Sequence, residues 1–174
     1  LTAHLIRQFL ENTEVKPMDM TFVVQKEVGQ RICAKPPDQN LLAVSVQFYA
    51  EPKIISYISK GSFWPSPEVD AAILKITPLN SKFPKPRQTP GVDGKTPGVK
   101  SVSEIDKSLF FKIVKAGVSH PRKQLINNLS LGLDIDKEKT GEWLFKNGIQ
   151  PSRRAETLSV DDWRNLTKSF KIEQ

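Results

Sequence analysis

The apolar positions of this chain fall into two regimes, separated by a stretch that has almost none. Near the amino terminus, Leu5, Ile6, Phe9 and Leu10 recur at i, i+1, i+4 and i+5, one face of an amphipathic helix, and Thr2 is placed to cap it. Residues 20–24 (MTFVV) are short, continuous and rich in β-branched side chains, which predicts a fully buried strand. KEVGQRICA then takes up helical spacing. Residues 41–49 (LLAVSVQFY) fit a strand or a buried helix by periodicity alone, and their length and the preceding KPPDQN turn favour a helix. KIISYIS and DAAILKITP read as strands, with a connection short enough for antiparallel pairing.

Residues 80–103 (NSKFPKPRQTPGVDGKTPGVKSVS) break both patterns. They are rich in Pro, Gly and Lys, and read as an exposed linker. TPGV occurs twice there, too little to make a structural repeat. Beyond it the spacing is helical to the end. Leu109, Phe110, Ile113 and Val114 share a face, as do Leu125, Ile126, Leu129 and Leu133. KEKTGEWLFKNG and SVDDWRNLTKSF predict shorter helices, with Gly148 as a stop and Ser159 with Asp162 as a capping box. The predicted organisation is an α/β part over 1–79, a linker over 80–103, and four or five helices over 104–174.

Composition narrows the class. A chain of 174 residues has room for one ordinary domain or two small ones, and no run of 18 apolar residues occurs that could cross a membrane. Cys33 is the only cysteine, so neither an intrachain disulfide nor a cysteine-based metal site is expected, and a reducing, cytoplasmic setting fits. No signal-peptide pattern opens the chain, and a start on Leu1 at a helix cap is what the tail of a longer protein looks like.

The net charge of +7 is unevenly placed. Residues 1–79 carry 8 Lys/Arg against 8 Asp/Glu, residues 80–103 carry 5 against 1, and residues 104–174 carry 13 against 10. The excess therefore lies in the second half, which points that half toward a polyanion, most often a nucleic acid. A solubilising basic surface is the plainer alternative.

One stretch asks for more than packing. GSFWPSPEVDAAILKI (61–76) leads from Gly61 and Ser62 into adjacent aromatics, Phe63 and Trp64, followed by Pro65 and Pro67. Each proline fixes its own φ and pushes the preceding residue toward extended geometry, so the segment reads as a stiff extended loop presenting an aromatic pair.

The order VVQKEVGQRICAKP, VSVQFYA, GSFWPSPEVDAAILKITP, FFKIVKAGVSHPRKQLINNL and GIQPSRRAETLSVDDWRNL resembles the ribosomal-RNA adenine dimethyltransferase family over nearly the whole chain outside 80–103. The carboxy-terminal blocks look like the small-subunit (16S) type. The resemblance implies an α/β plus all-α fold. It would be the carboxy-terminal half of a Rossmann-like class I methyltransferase sheet, followed by a small helical domain that binds ribosomal RNA. It implies methyl transfer from S-adenosylmethionine to two adjacent adenosines near the 3′ end of small-subunit RNA, in ribosome biogenesis. Two alternatives remain open: a non-catalytic RNA- or ribosome-binding module on the same scaffold, and the macrolide-resistance branch, which methylates large-subunit RNA.

In the family, the phenylalanine of F-x-P-x-P-x-V stacks on the target adenine, which here falls on Phe63, with Pro65 and Pro67 as the rigid loop around it. A base swung out of its helix loses stacking, and a flat side chain restores roughly 1–3 kcal/mol of it. Trp64 occupies a variable position and reads as a packing residue. The family's N-[IL]-P-Y loop, its glycine-rich turn and its ribose-binding acid have no counterpart in these residues, and no G-x-G-x-x-G is present. The 174 residues alone are therefore expected to bind no cofactor and to catalyse nothing. A central strand deprived of its neighbours would also leave an open edge and invite self-association.

The remaining candidates are basic. Arg122 and Lys123, after Pro121, are expected in the first turn of a helix, where exposed N–H groups favour phosphate. Val118 and Pro121 stand there where the family has a phenylalanine and a further arginine. Arg153 and Arg154 also match the family, one suited to RNA and the other to Glu156 or a helix end. Gln25, Lys26 and Glu27 match its Q-K-E-V and lie where α/β sheets place their sites, without an evident chemical role. His4 and His120 are isolated, so no metal site is expected. The sequons at Asn128 and Asn165 read as chance.

Overall fold

The computed structural model describes Ile6, residues 8–10, 17–79 and 105–170. Thr2, His4, Leu5 and the 80–103 segment lie outside the described residues. The first described part runs β1 (Met20–Gln25), α1 (Lys26–Cys33), α2 (Leu41–Gln47), β2 (Ala50–Ile58) and β3 (Ala71–Pro78). The second runs α3 (Lys107–Val118), α4 (Leu125–Leu133), α5 (Lys137–Lys146) and α6 (Val160–Ser169). Short 3-10 turns cover Lys60–Ser62 and Ala155–Thr157.

The ambiguous apolar run at 41–49 is helical to Gln47 and then enters β2. Asn40 decides it locally. Its side-chain oxygen accepts from the Ala43 N–H at 3.0 Å, while its amide donates to the Arg31 carbonyl at 2.9 Å. Gln47 closes the other end, donating to the carbonyls of Ile32 and Ala34, both at 2.9 Å. Helix ends leave such carbonyls orphaned unless a side chain reaches them.

The three strands form an antiparallel sheet in the order β1-β3-β2. β1 departs from the expectation of full burial. Met20 and Val24 are buried, yet Val23 between them is 60% exposed. Successive side chains of a strand point to opposite faces, and only one face is covered by the described elements. In β2 a bulge between Ile54 and Ser56 shifts the register, so that Ile54 faces Leu74 while Tyr57 faces Ala72. The extra residue exchanges the inward and outward positions of the strand.

The helical part packs as its periodicity predicts, with Phe110, Ile113, Val114, Leu125, Leu129, Leu144, Trp163 and Leu166 buried. Gly117 permits close approach of α3 and α6, since a Cβ there would come within 2.4 Å of the Trp163 ring. Ser159 and Asp162 form the predicted capping box, and Gly148 ends α5 with a φ of 71°. Asn128 is buried and donates to the carbonyls of Gly117 at 2.7 Å and His120 at 3.0 Å, which rules its sequon out as a modification site.

The segments on either side of 80–103 share one continuous hydrophobic core. Phe48 lies 4.1 Å from Phe110 and 5.5 Å from Phe111, ring centre to ring centre. Arg164 on α6 donates to the Phe48 carbonyl at 2.9 Å and sits over the Phe48 ring. The Gln39 N–H donates to the Glu156 carbonyl at 3.0 Å.

Candidate functional site

Antiparallel pairing brings three strand ends together. Ala71, the first residue of β3, faces Gln25 at the end of β1 on one side and Ile58 at the end of β2 on the other. The loop carrying Phe63 leaves β2 and returns to β3 at this junction. Gln25, Lys26 and Glu27 thus lie beside it, at the carboxyl end of a strand. The Lys26 N–H donates to the Asp70 carbonyl at 2.9 Å, and its ammonium lies 3.7 Å from the Asp70 carboxylate and 5.6 Å from the centre of the Tyr57 ring.

The loop is braced more than it is extended. Asp70 accepts from the Lys60 N–H at 3.1 Å, and Ser66 donates to the Lys60 carbonyl at 3.0 Å. The N–H of Ser62 returns to the Ser59 carbonyl at 2.9 Å, and that of Phe63 to the Lys60 carbonyl at 3.3 Å. These bonds wind residues 60–62 into a 3-10 turn, and the chain bends again through 63–65, with a cis peptide between Trp64 and Pro65. The expected extended loop is instead folded back, because these hydrogen bonds turn the chain on itself around Lys60. Asp70 and Tyr57 could not have been placed here from spacing alone, because their partners lie elsewhere in the sequence.

Phe63 itself is extended, with φ −112° and ψ 150°, and half-buried. Trp64 was expected to pack, and it does not: 98% of it is exposed. A residue between Phe63 and Pro65 on the outside of a tight bend has no neighbouring element to pack against.

The basic candidates separate. Arg122 and Lys123 are exposed, but they precede α4, which starts at Leu125 with Gln124 as its cap. The anticipated phosphate cradle in the first turn is occupied by the protein itself. The Leu125 N–H donates to the Arg153 carbonyl at 2.8 Å, and the Ile126 N–H to the Pro151 carbonyl at 3.3 Å. Arg153 turns inward, donating from Nε to the Thr157 hydroxyl at 3.0 Å and from Nη2 to the Thr157 carbonyl. Arg154 stays exposed, 3.8 Å from Glu156. His120 contacts the Ser119 hydroxyl at 3.1 Å through Nδ1 and has no carboxylate partner among the described residues.

The junction after β1 is Gln25–Lys26 rather than a glycine-rich turn, and the N–H of Lys26 is already bonded to Asp70. Among the described residues no group of His, Cys, Asp and Glu is arranged to hold a metal, and no helix is long and apolar enough to cross a membrane.

Comparison with known proteins shows the family. Residues 1–89 match the Ribosomal RNA adenine dimethylase family. The chain is 42% identical over 170 residues to the ribosomal RNA small subunit methyltransferase A of Dehalococcoides mccartyi, covering 98% of this chain and 52% of the relative. To the protein of the same name from Desulfitobacterium hafniense it is 34% identical over 171 residues, covering 97% and 54%. The chain therefore spans about half the length of these curated relatives. Among solved structures, a dimethyladenosine transferase from Plasmodium falciparum superposes with a TM-score of 0.66 at 17% identity, over 95% of this chain and 61% of that one. The 23S rRNA methyltransferase ErmE gives 0.62 at 15% identity, over 97% and 60%. These two share the α/β methyltransferase fold with it. This chain belongs to the ribosomal RNA adenine dimethylase family.

Proposed function

We propose that this chain is part of an S-adenosylmethionine-dependent enzyme that dimethylates two adjacent adenosines near the 3′ end of small-subunit (16S) ribosomal RNA, in the cytoplasm during ribosome biogenesis. Residues 1–79 form the carboxy-terminal part of its Rossmann-like sheet, 80–103 a linker, and 104–174 a helical part that faces the RNA. Phe63 stacks on the adenine, held by Pro65, Pro67 and the Asp70-centred hydrogen bonds. The single observation that carries this reading is the braced loop, which leaves and re-enters the sheet where three strand ends meet and carries the half-buried Phe63. A stacking surface fixed beforehand loses less entropy when the base arrives. Arg122, Lys123 and Arg154 supply phosphate contacts at the surface, while Arg153 maintains the turn between them. The methyl donor is held by residues other than those described, and the 174 residues alone do not methylate. The unpaired edge of β1 provides a route to self-association.

The test is transfer of a labelled methyl group to undermethylated small ribosomal subunits, by the full parent protein, its Phe63→Ala variant and the 174-residue chain. Phe63→Ala is expected to lower the rate roughly 5- to 150-fold, the range of one lost stacking contact. A parent that binds subunits without methylating them would replace this reading with a non-catalytic RNA-binding one. Methylation of large-subunit RNA instead would identify the macrolide-resistance branch.

A further inference from the structure

Trp64 is the most exposed large apolar side chain among the described residues, at 98%. Its exposure is built rather than incidental. The backbone on its amino side is tied through Lys60 to Ser66 and Asp70, and the residues at 65 and 67 are prolines. Holding an indole in water on a braced loop forgoes the stabilisation that burial gives. Its neighbours Gly61, Ser62, Pro65 and Ser66 are small, ring-constrained or polar and exposed, and they offer no aliphatic patch of the kind that protein partners bury. A lone flat ring suits a flat, uncharged partner.

The loop also carries a cation at its base. Lys60, at the base of the loop, is exposed and has no ion pair among the described residues, and Lys26 lies across Asp70 from it. Glu27 and Glu68 are exposed as well, and the Asp70 carboxylate is paired with Lys26, so Lys60 is the cation left to meet a phosphate. A cation four residues from an exposed aromatic ring suits single-stranded nucleic acid, with the phosphate met by the charge and the base by the ring. We infer that Trp64 stacks on a second unpaired RNA base, distinct from the one assigned to Phe63. The loop then reads two unstacked bases and so selects single-stranded targets. This inference rests on RNA being the partner.

The test measures equilibrium binding of the full chain, Trp64→Ala and Trp64→Phe to a short oligoadenylate and to an RNA duplex of equal length, across a salt series. Trp64→Ala is expected to weaken oligoadenylate binding roughly 5- to 150-fold and to leave duplex binding unchanged. The slope of log affinity against log salt stays the same, because the ring carries no charge. Trp64→Phe retains most of the affinity but loses the quenching of exposed tryptophan emission that oligoadenylate causes in the unsubstituted chain. Equal oligoadenylate affinity for Trp64→Ala and the unsubstituted chain overturns the inference and leaves the Phe63 reading standing. Shielding of Trp64 from acrylamide before any RNA is added also overturns it, since another polypeptide surface then covers the ring. A chain that binds neither RNA removes the RNA reading and this inference together.

Discussion

Arg153 and Arg154 are adjacent in sequence and opposite in role. The guanidinium of Arg153 binds the hydroxyl and carbonyl of Thr157, and its own carbonyl receives the first N–H of α4. Arg153→Ala should therefore cost about 1.5–3 kcal/mol, the range for a charged hydrogen bond whose partner is left unmet. Arg154 is exposed and its contact with Glu156 is long, so Arg154→Ala should change stability by less than about 1 kcal/mol. The order reverses for RNA, where Arg154→Ala lowers the salt slope of binding by about 1 and Arg153→Ala leaves it alone in chains that remain folded. Urea titration and a binding series in salt read the two effects separately; equal destabilisation by both variants would refute the assignment. Nothing in the dipeptide itself tells the two apart. The turn at 151–157 aims one side chain inward, and that direction depends on Thr157 and α4. The turn-rich composition of 61–70 announced a loop between two strands, whereas the exposure of Trp64 was not legible, since an aromatic residue beside prolines most often packs.

Among the elements, β1 carries the main consequence. It pairs with β3 alone among the described residues, so its other edge presents unpaired backbone groups next to a 60% exposed Val23. The 174-residue chain is expected to associate as concentration rises, and Val23→Lys to reduce that association, since charge on an edge strand opposes pairing. Light scattering over a concentration series decides it, and a chain that stays monomeric throughout would count against the open edge. The run MTFVV announced a strand but not its cover, because an apolar run shows composition while burial depends on what is stacked on each face. Helices were easier to read. Their 3.6-residue period, Gly148 and the pairing of Ser159 with Asp162 are all local signals. The start of α4 escaped because Pro121 looks like a first helical residue, yet the chain makes a further turn before Gln124.

Across the whole molecule, composition suggests two parts and packing makes them one. The neutral residues 1–79 and the basic residues 104–174 meet at Phe48, Phe110 and Phe111, and Arg164 reaches from α6 to the Phe48 carbonyl. Heating the monomeric chain should give a single unfolding transition, with calorimetric and van't Hoff enthalpies in agreement. Two separated transitions would mean that the shared core is too weak to couple the parts. The Pro- and Lys-rich composition of 80–103 suggested a boundary because composition reports solubility along the chain and is silent on contacts between residues far apart. The Arg164 contact has one more consequence. Because contacts between side chains and backbone join the parts on either side of 80–103, exchanging residues within 80–103 at constant length is expected to leave the single unfolding transition in place, and a split transition would refute it.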